Sequence, residues 1–299
     1  MLGLFMVLVA GCKPDLGQPT SLVAERRILA IKSEPPETRP GQGATFSALV
    51  VSPMGTEAAP ALAWALCLTP KPLDENNVVA AACLGEEGVM GVGNGPSVSA
   101  ATPSNACQLF GPDPPPQEPG KPPLRPRDPD VSGGFYQPLR LRDSELTGFA
   151  LQRITCNLAS AGAEVAIEFG KRYRANQNPK LLPLAAVSGG QPAPAATVKA
   201  GQAVDFVASW AADTVETFPV YDIVTQTLVD HRESMRVSWF ASDGRFAHER
   251  TGREEGDPAT DTSNGWTAPS TAGTVHLWLV LRDSRGGVDF AGYDVQVTP

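Results

Sequence analysis

The feature that most constrains this fold is a pattern written twice. Thr38-Arg39-Pro40-Gly41-Gln42-Gly43-Ala44 opens an alternating run through Val51, and a tryptophan strand over 62–68 follows it. Thr197-Val198-Lys199-Ala200-Gly201-Gln202-Ala203-Val204 opens a second run, with Val204, Phe206, Ala208 and Trp210 on one face. Arg236-Val237-Ser238-Trp239-Phe240 then answers the first tryptophan strand. Period-two alternation after a glycine turn marks a strand, because successive side chains leave opposite faces of the pleat. A strand with one apolar face must bury that face against a second layer. The pattern therefore predicts two stacked-sheet units, with Trp64, Trp210 and Trp239 in their cores. Composition agrees: 29 glycines and 29 prolines in 299 residues, 42% of them hydrophobic, suit short strands joined by turns.

The surrounding segments carry a family likeness. A strand over 28–31, then Ser33-Glu34-Pro35-Pro36-Glu37, the Pro40-Gly41-Gln42 turn, a strand and a tryptophan strand resemble the opening of immunoglobulin-like and polycystic-kidney-disease-type domains of bacterial surface proteins. Later, Gly265-Trp266-Thr267-Ala268-Pro269, a long apolar strand over 273–282 and the hairpin Asp283-Ser284-Arg285-Gly286-Gly287 leading into 288–297 look like the last hairpin of the same families. The resemblance implies an all-β chain with two immunoglobulin-like β-sandwich domains in tandem. Val288 and Phe290 are out of phase with Tyr293, Val295 and Val297, which predicts a β-bulge at Ala291-Gly292. Further strands are expected over 137–141, 151–158 and 163–169. Asn176-Gln177-Asn178-Pro179 is a turn-rich joint. The expected organisation is a signal peptide (1–11), a tether (12–25), a first sandwich (26–174), a linker (175–183) and a second sandwich (184–299).

Residues 69–131 interrupt the first unit with a glycine-rich piece (85–95) and a proline-rich piece (112–129). Such composition predicts a long decorated loop rather than core. The run of prolines reads as a stiff exposed spacer before it reads as a polyproline ligand. Cys67, Cys83, Cys107 and Cys156 are an even set outside the N-terminal segment, and an exported chain would join them as two disulfides in one of three pairings. Strand parity puts Cys67 opposite Trp64 and Leu66, whereas Cys156 shares a face with Ile154 and Leu158. A Cys67–Cys156 pin then needs a bulge, and Cys67–Cys83 with Cys107–Cys156 is favoured.

The N-terminus carries its own signal. An apolar run over 2–10 ends in Val9-Ala10-Gly11-Cys12, which resembles the cleavage site of bacterial lipoprotein signal peptides. The run is about half the ~20 residues a membrane-spanning helix needs. It lacks the basic head usual in such peptides. The resemblance implies cleavage before Cys12 and lipidation of its thiol, fixing the chain to a membrane. Lys13 is not the inner-membrane retention signal of that family, so the outer membrane or cell surface is favoured.

Motifs for chemistry are sparse. A net charge of −8 without a long basic run argues against nucleic acid as a partner. There is no nucleophile elbow, phosphate loop or dinucleotide fingerprint. His231, His248 and His276 are the only histidines, and His276 reads as a structural residue beside Trp278. Hard cations such as Ca2+ favour loop carboxylates, and Asp257, Asp261, Asp283 and Asp289, with Asn264, are the candidates. Their spacing is not that of an EF-hand, and turn-forming acids are the plainer account. Trp266, Phe246 and Tyr221 lie near loops and are candidate stacking platforms for carbohydrate. The expected function is that of a non-catalytic, membrane-anchored envelope lipoprotein, acting as a structural or binding module for a protein or polysaccharide partner. The alternative is an accessory subunit of an envelope enzyme or a carbohydrate-binding surface protein.

Overall fold

Strand pairing in the computed structural model follows the alternation of the sequence closely. It describes residues 18–71, 75–112, 119, 128–188, 191–194 and 197–299. The first half contains β1 (Arg27–Glu34), β2 (Glu37–Thr38), β3 (Gly43–Ser52), β4 (Gly55–Thr56), β5 (Ala63–Cys67), β6 (Val89–Asn94), β7 (Ser97–Ala101), α1 (Ala106–Phe110), β8 (Gly134–Arg142), β9 (Thr147–Thr155) and α2 (Ala163–Arg172). One sheet joins β1 to β3, whose other edge carries β4 and β7; the facing sheet runs β2-β9-β8-β5-β6. Phe46 and Val50 from one sheet meet Trp64, Leu66, Leu139 and Leu141 from the other. The Trp64 indole Nε1 donates to the Gly95 carbonyl at 2.8 Å, so the ring is buried without stranding its N–H.

The second half contains β10 (Ala185–Ser188), β11 (Gln191–Pro194), β12 (Thr197–Lys199), β13 (Ala203–Ser209), β14 (Thr217–Asp222), β15 (Thr227–Arg232), β16 (Met235–Ala241), β17 (Arg245–Phe246), β18 (Arg250–Arg253), β19 (Asp261–Thr267), β20 (Gly273–Asp283) and β21 (Val288–Thr298). Sheets β12-β21-β20-β16-β18 and β11-β10-β13-β19-β17 stack over Phe206, Trp210, Trp239, Trp266, Leu277 and Leu279. The chain is thus nearly all β, with two sandwiches in tandem and a separate ribbon, β14–β15.

Three expectations are corrected. First, residues 163–169 form a helix, not a strand. Ala161, Val165, Phe169 and Tyr173 recur every four residues, and these are the positions of the segment that pack inward, against Leu158 and Tyr221. Glu164 in the first turn and Lys171 and Arg172 in the last suit the helix dipole.

Second, there is no bulge at Ala291-Gly292. β20 and β21 pair in unbroken register from Gly273↔Val297 to Arg282↔Val288. The phase change has another cause: this sheet is buried on both faces. Val275, Leu277, Leu279, Val295 and Val297 fill the second sandwich. Trp278, Val280 and Val288, on the opposite face, pack against Leu29, Ala30, Leu49 and Val51 of the first half.

Third, residues 69–131 are not wholly a loop. β6 pairs with β5, and β7 pairs with β3, so these two strands extend one sheet each of the first sandwich. Gly93, at φ +140°, occupies the left-handed side of backbone space with its α-carbon facing Val98, a place that favours glycine.

The register also gives the molecule two ends. At one, Val23 donates to the Ala241 carbonyl at 2.8 Å, and Arg26 pairs with Asp143 at 2.7 Å. β1 runs away from this end, and β8 and β16 run toward it. Cys67 and Gly134, the flanks of residues 69–131, therefore lie toward the other end, with α2 and the β14–β15 ribbon.

Candidate functional site

The far end is organised by charge buried between the two halves. Glu37 follows β1 through a Pro-Pro turn and is fully enclosed. Its carboxylate accepts from Tyr173 Oη at 2.7 Å, Thr155 Oγ1 at 2.8 Å and the Asn176 backbone N–H at 2.8 Å, and it faces Arg153 Nε at 3.3 Å. Arg153 also donates to Ser132 Oγ at 2.8 Å and Tyr136 Oη at 3.1 Å. Asn176 carries the network across, donating Nδ2 to Asp283 at 3.2 Å. Asp283 accepts from the backbone N–H groups of Arg285 and Gly287, each at 2.8 Å, which shapes the final hairpin. Arg285 donates to Glu233 and Glu216, both at 2.7 Å, and lies 4.6 Å from the centre of the Phe218 ring.

Two arginines thus face three enclosed carboxylates, those of Glu37, Asp283 and Glu233. The excess acid has an electrostatic consequence. Burial, and then the negative charge of Asp283, push the Glu233 carboxyl up to about 7 against the pull of Arg285. Asp283 is pushed up as well, by burial, while its backbone hydrogen bonds oppose the shift. Burial also raises Tyr173, keeping its hydroxyl a donor to Glu37. Beside the network lies a cleft of about 320 Å3, with Arg153, Phe218, Arg285, His231 and Glu255 in its walls. Arg285 spends its donors on Glu233, Glu216 and the Arg174 carbonyl, which ties the final hairpin to the chain just after α2.

The two disulfides sit on the same end. Cys67 joins Cys83 and Cys107 joins Cys156, with Cα–Cα separations of 5.5 and 5.8 Å, in the pairing that strand parity favours. Gln137 donates to the Cys67 carbonyl, and Arg140 to the carbonyls of Cys83 and Gly85, so the first bridge is held by buried side chains of β8. The second ties α1 to the residue after β9. Together they fix residues 69–131 to the first sandwich at Cys83 and Cys107.

The other site residues fall elsewhere. Cys12 and the 1–11 segment lie outside the described residues, as does most of the proline run. The four aspartates do not converge. Asp257 and Asp261 both pair with Arg253, at 2.9 and 3.0 Å; Asp283 belongs to the buried network; Asp289 binds Lys32 at 3.0 Å and the Leu181 N–H at 2.8 Å. Among the described residues no cluster of three or more His, Cys, Asp or Glu is placed to hold a metal ion. Trp266, Phe246 and Tyr221 are not platforms. Trp266 and Phe246 fill the second core, and Tyr221 packs on Phe169, because alternation turns each of them inward. All five tryptophans are buried. Glu37, Arg153, Asn176 and Glu233 were missed. Their one sequence signal is charge or amide inside segments that otherwise read as strand or turn.

No family model and no curated protein matches the chain. Among solved structures it is similar to the Yersinia pseudotuberculosis adhesin InvE, at 9% identity over 90% of this chain and 58% of that one, with a TM-score of 0.26. It is also similar to a chimeric titin Z1Z2-Z1Z2 tandem, at 11% identity over 92% and 100%, with a TM-score of 0.24. A nucleoside hydrolase-related hypothetical protein from Saccharophagus degradans, associated with carbohydrate metabolism, shares 19% identity over 42% of this chain and 26% of its own, with a TM-score of 0.23. The assignment of tandem β-sandwiches rests on the strand pairings themselves.

Proposed function

We propose that this chain is a lipid-anchored protein of a bacterial envelope that holds a rigid two-sandwich body off the membrane and presents residues 69–131 to a protein partner. One observation carries the reading: the chain enters the fold at one end, while the disulfides that hold Cys83 and Cys107 of residues 69–131 sit toward the other. A tether running from Cys12 into the first end would leave the two disulfides, and the residues they hold, facing away from the lipid. The burial of every tryptophan favours a protein over a polysaccharide, since sugar rings stack on exposed aromatic faces. The reading is non-catalytic and places the anchor in the outer membrane.

The test is made in cells that produce the full chain. Alkyne-palmitate labelling is expected to mark the wild-type chain in the outer-membrane fraction, with Cys12→Ser unlabelled and released. A photo-crosslinking residue at Pro115 is expected to give one discrete protein adduct. Membrane retention of unlabelled Cys12→Ser would overturn the anchor. Absence of any adduct at Pro115, with an adduct from a control position on β18, would overturn the presenting role.

A further inference from the structure

The fully buried arginines among the described residues are matched to acids. Arg153 faces Glu37, Arg285 faces Glu233 and Glu216, and Arg140 faces Glu86. Half-buried Arg282, at the end of β20, has no carboxylate partner among the described residues. Its one protein acceptor is the Leu29 carbonyl, at 3.1 Å, which leaves donors on Nε and Nη1 free. Half-buried Arg27, on β1, also lacks an acid; it donates to the carbonyls of Thr20 and Leu22 and lies 5.6 Å from the centre of the Phe240 ring.

Arg282 and Arg27 line the same cleft. It has a volume of about 360 Å3 and lies between β1, the β8–β9 turn and β20, with Ile28, Ile31, Leu146 and Phe149 among its other walls. Ile31, Phe149 and Arg282 also line an adjoining hollow of about 270 Å3, where Phe46 and Val288 complete an apolar floor. These volumes fall around the lower end of the range for small-molecule sites, which are mostly apolar with a few polar groups that orient the ligand. Burial and the neighbouring Arg250 charge hold the Arg282 guanidinium below its usual range, so the cation there is under-compensated. A desolvated guanidinium without an anion is costly, and one carboxylate would meet its planar donor edge with paired hydrogen bonds.

We infer that this cleft binds a small amphiphilic carboxylate, its head on Arg282 and Arg27 and its saturated chain along Ile31 and Phe149. The inference goes beyond the presenting role and does not depend on the anchor. The two fail separately, because binding is measured on the full chain carrying Cys12→Ser, which takes no lipid. Calorimetric titration compares octanoate, octanol and octyltrimethylammonium, which share a chain and differ in head charge. One octanoate is expected to bind per chain, octanol more weakly, and octyltrimethylammonium not at all. Arg282→Gln is expected to weaken octanoate by about tenfold or more, the scale of one lost charge-assisted hydrogen bond, with Arg282→Lys intermediate. Arg27→Gln, at the cleft mouth, is expected to weaken it less. If octanoate binds no better than octanol, or if folded Arg282→Gln retains wild-type affinity, the site is refuted; the head-charge comparison stands on the unsubstituted cleft whether or not Arg282→Gln folds.

Discussion

Glu233 shows how one residue couples this fold to pH. Its carboxyl titrates near 4.5 when unfolded and at about 7 in the buried network, so between those values the folded chain holds a proton that the unfolded chain has lost. Stability from that proton is complete below pH 4.5 and is lost as pH rises through 7. The melting temperature is expected to fall across that interval, and Glu233→Gln, which keeps a neutral hydrogen-bonding group, is expected to flatten the profile. Arg153 sets the scale of the network: Arg153→Ala strands the enclosed Glu37 carboxylate and should cost about 3–5 kcal/mol by urea denaturation. Trp239→Ala should cost about 3–5 kcal/mol as well, by opening a cavity in the second core. Of these residues the sequence made only Trp239 legible. Alternation over 151–158 marks Ile154 as core, but Gln152 and Arg153 are enclosed beside it, because the segment after β1 covers them: Gln152 donates to the Pro36 carbonyl and Arg153 faces Glu37. No local pattern encodes a neighbour supplied from more than a hundred residues away.

At the scale of elements, alternation located β3, β5, β13 and β16, although β3 is buried on both faces, with Phe46 and Val50 in the first core and Leu49 and Val51 against the second half. β21 carries two phases, since its first residues face the first sandwich and its last face the second. α2 was misread for a different reason. Seven residues of mixed polarity fit a period of two about as well as a period of four, and the deciding contacts, on Tyr221 and Leu158, are tertiary. β6 and β7 hide in glycine and serine because a single strand added at the edge of each sheet needs few apolar side chains. This placement yields a prediction about the disulfides. Closing loops of 16 and 49 residues should contribute about 3 and about 4 kcal/mol in the chain-entropy model. Reduction is expected to lower hydrogen-exchange protection first in β5, β6 and β8, and least in β16 and β20. Equal loss in both groups would place the disulfides' effect elsewhere.

Over the whole molecule, the two sandwiches share a sheet face and a charge network, and neither is complete alone. Trp278 marks the shared face: its ring is buried against the first half, and its Nε1 donates to Thr56 Oγ1 at 2.8 Å. A tandem pattern in the sequence implies two units but says nothing of how firmly they join. Here the junction is apolar along its length and ionic at its far end, so force or heat on one half reaches the other. The most direct test is calorimetric unfolding of the full oxidised chain, alone and with Trp278→Ala. The account predicts one cooperative transition that the substitution moves as a whole to lower temperature. Two separable transitions, with Trp278→Ala shifting only the one that belongs to the second half, would contradict it.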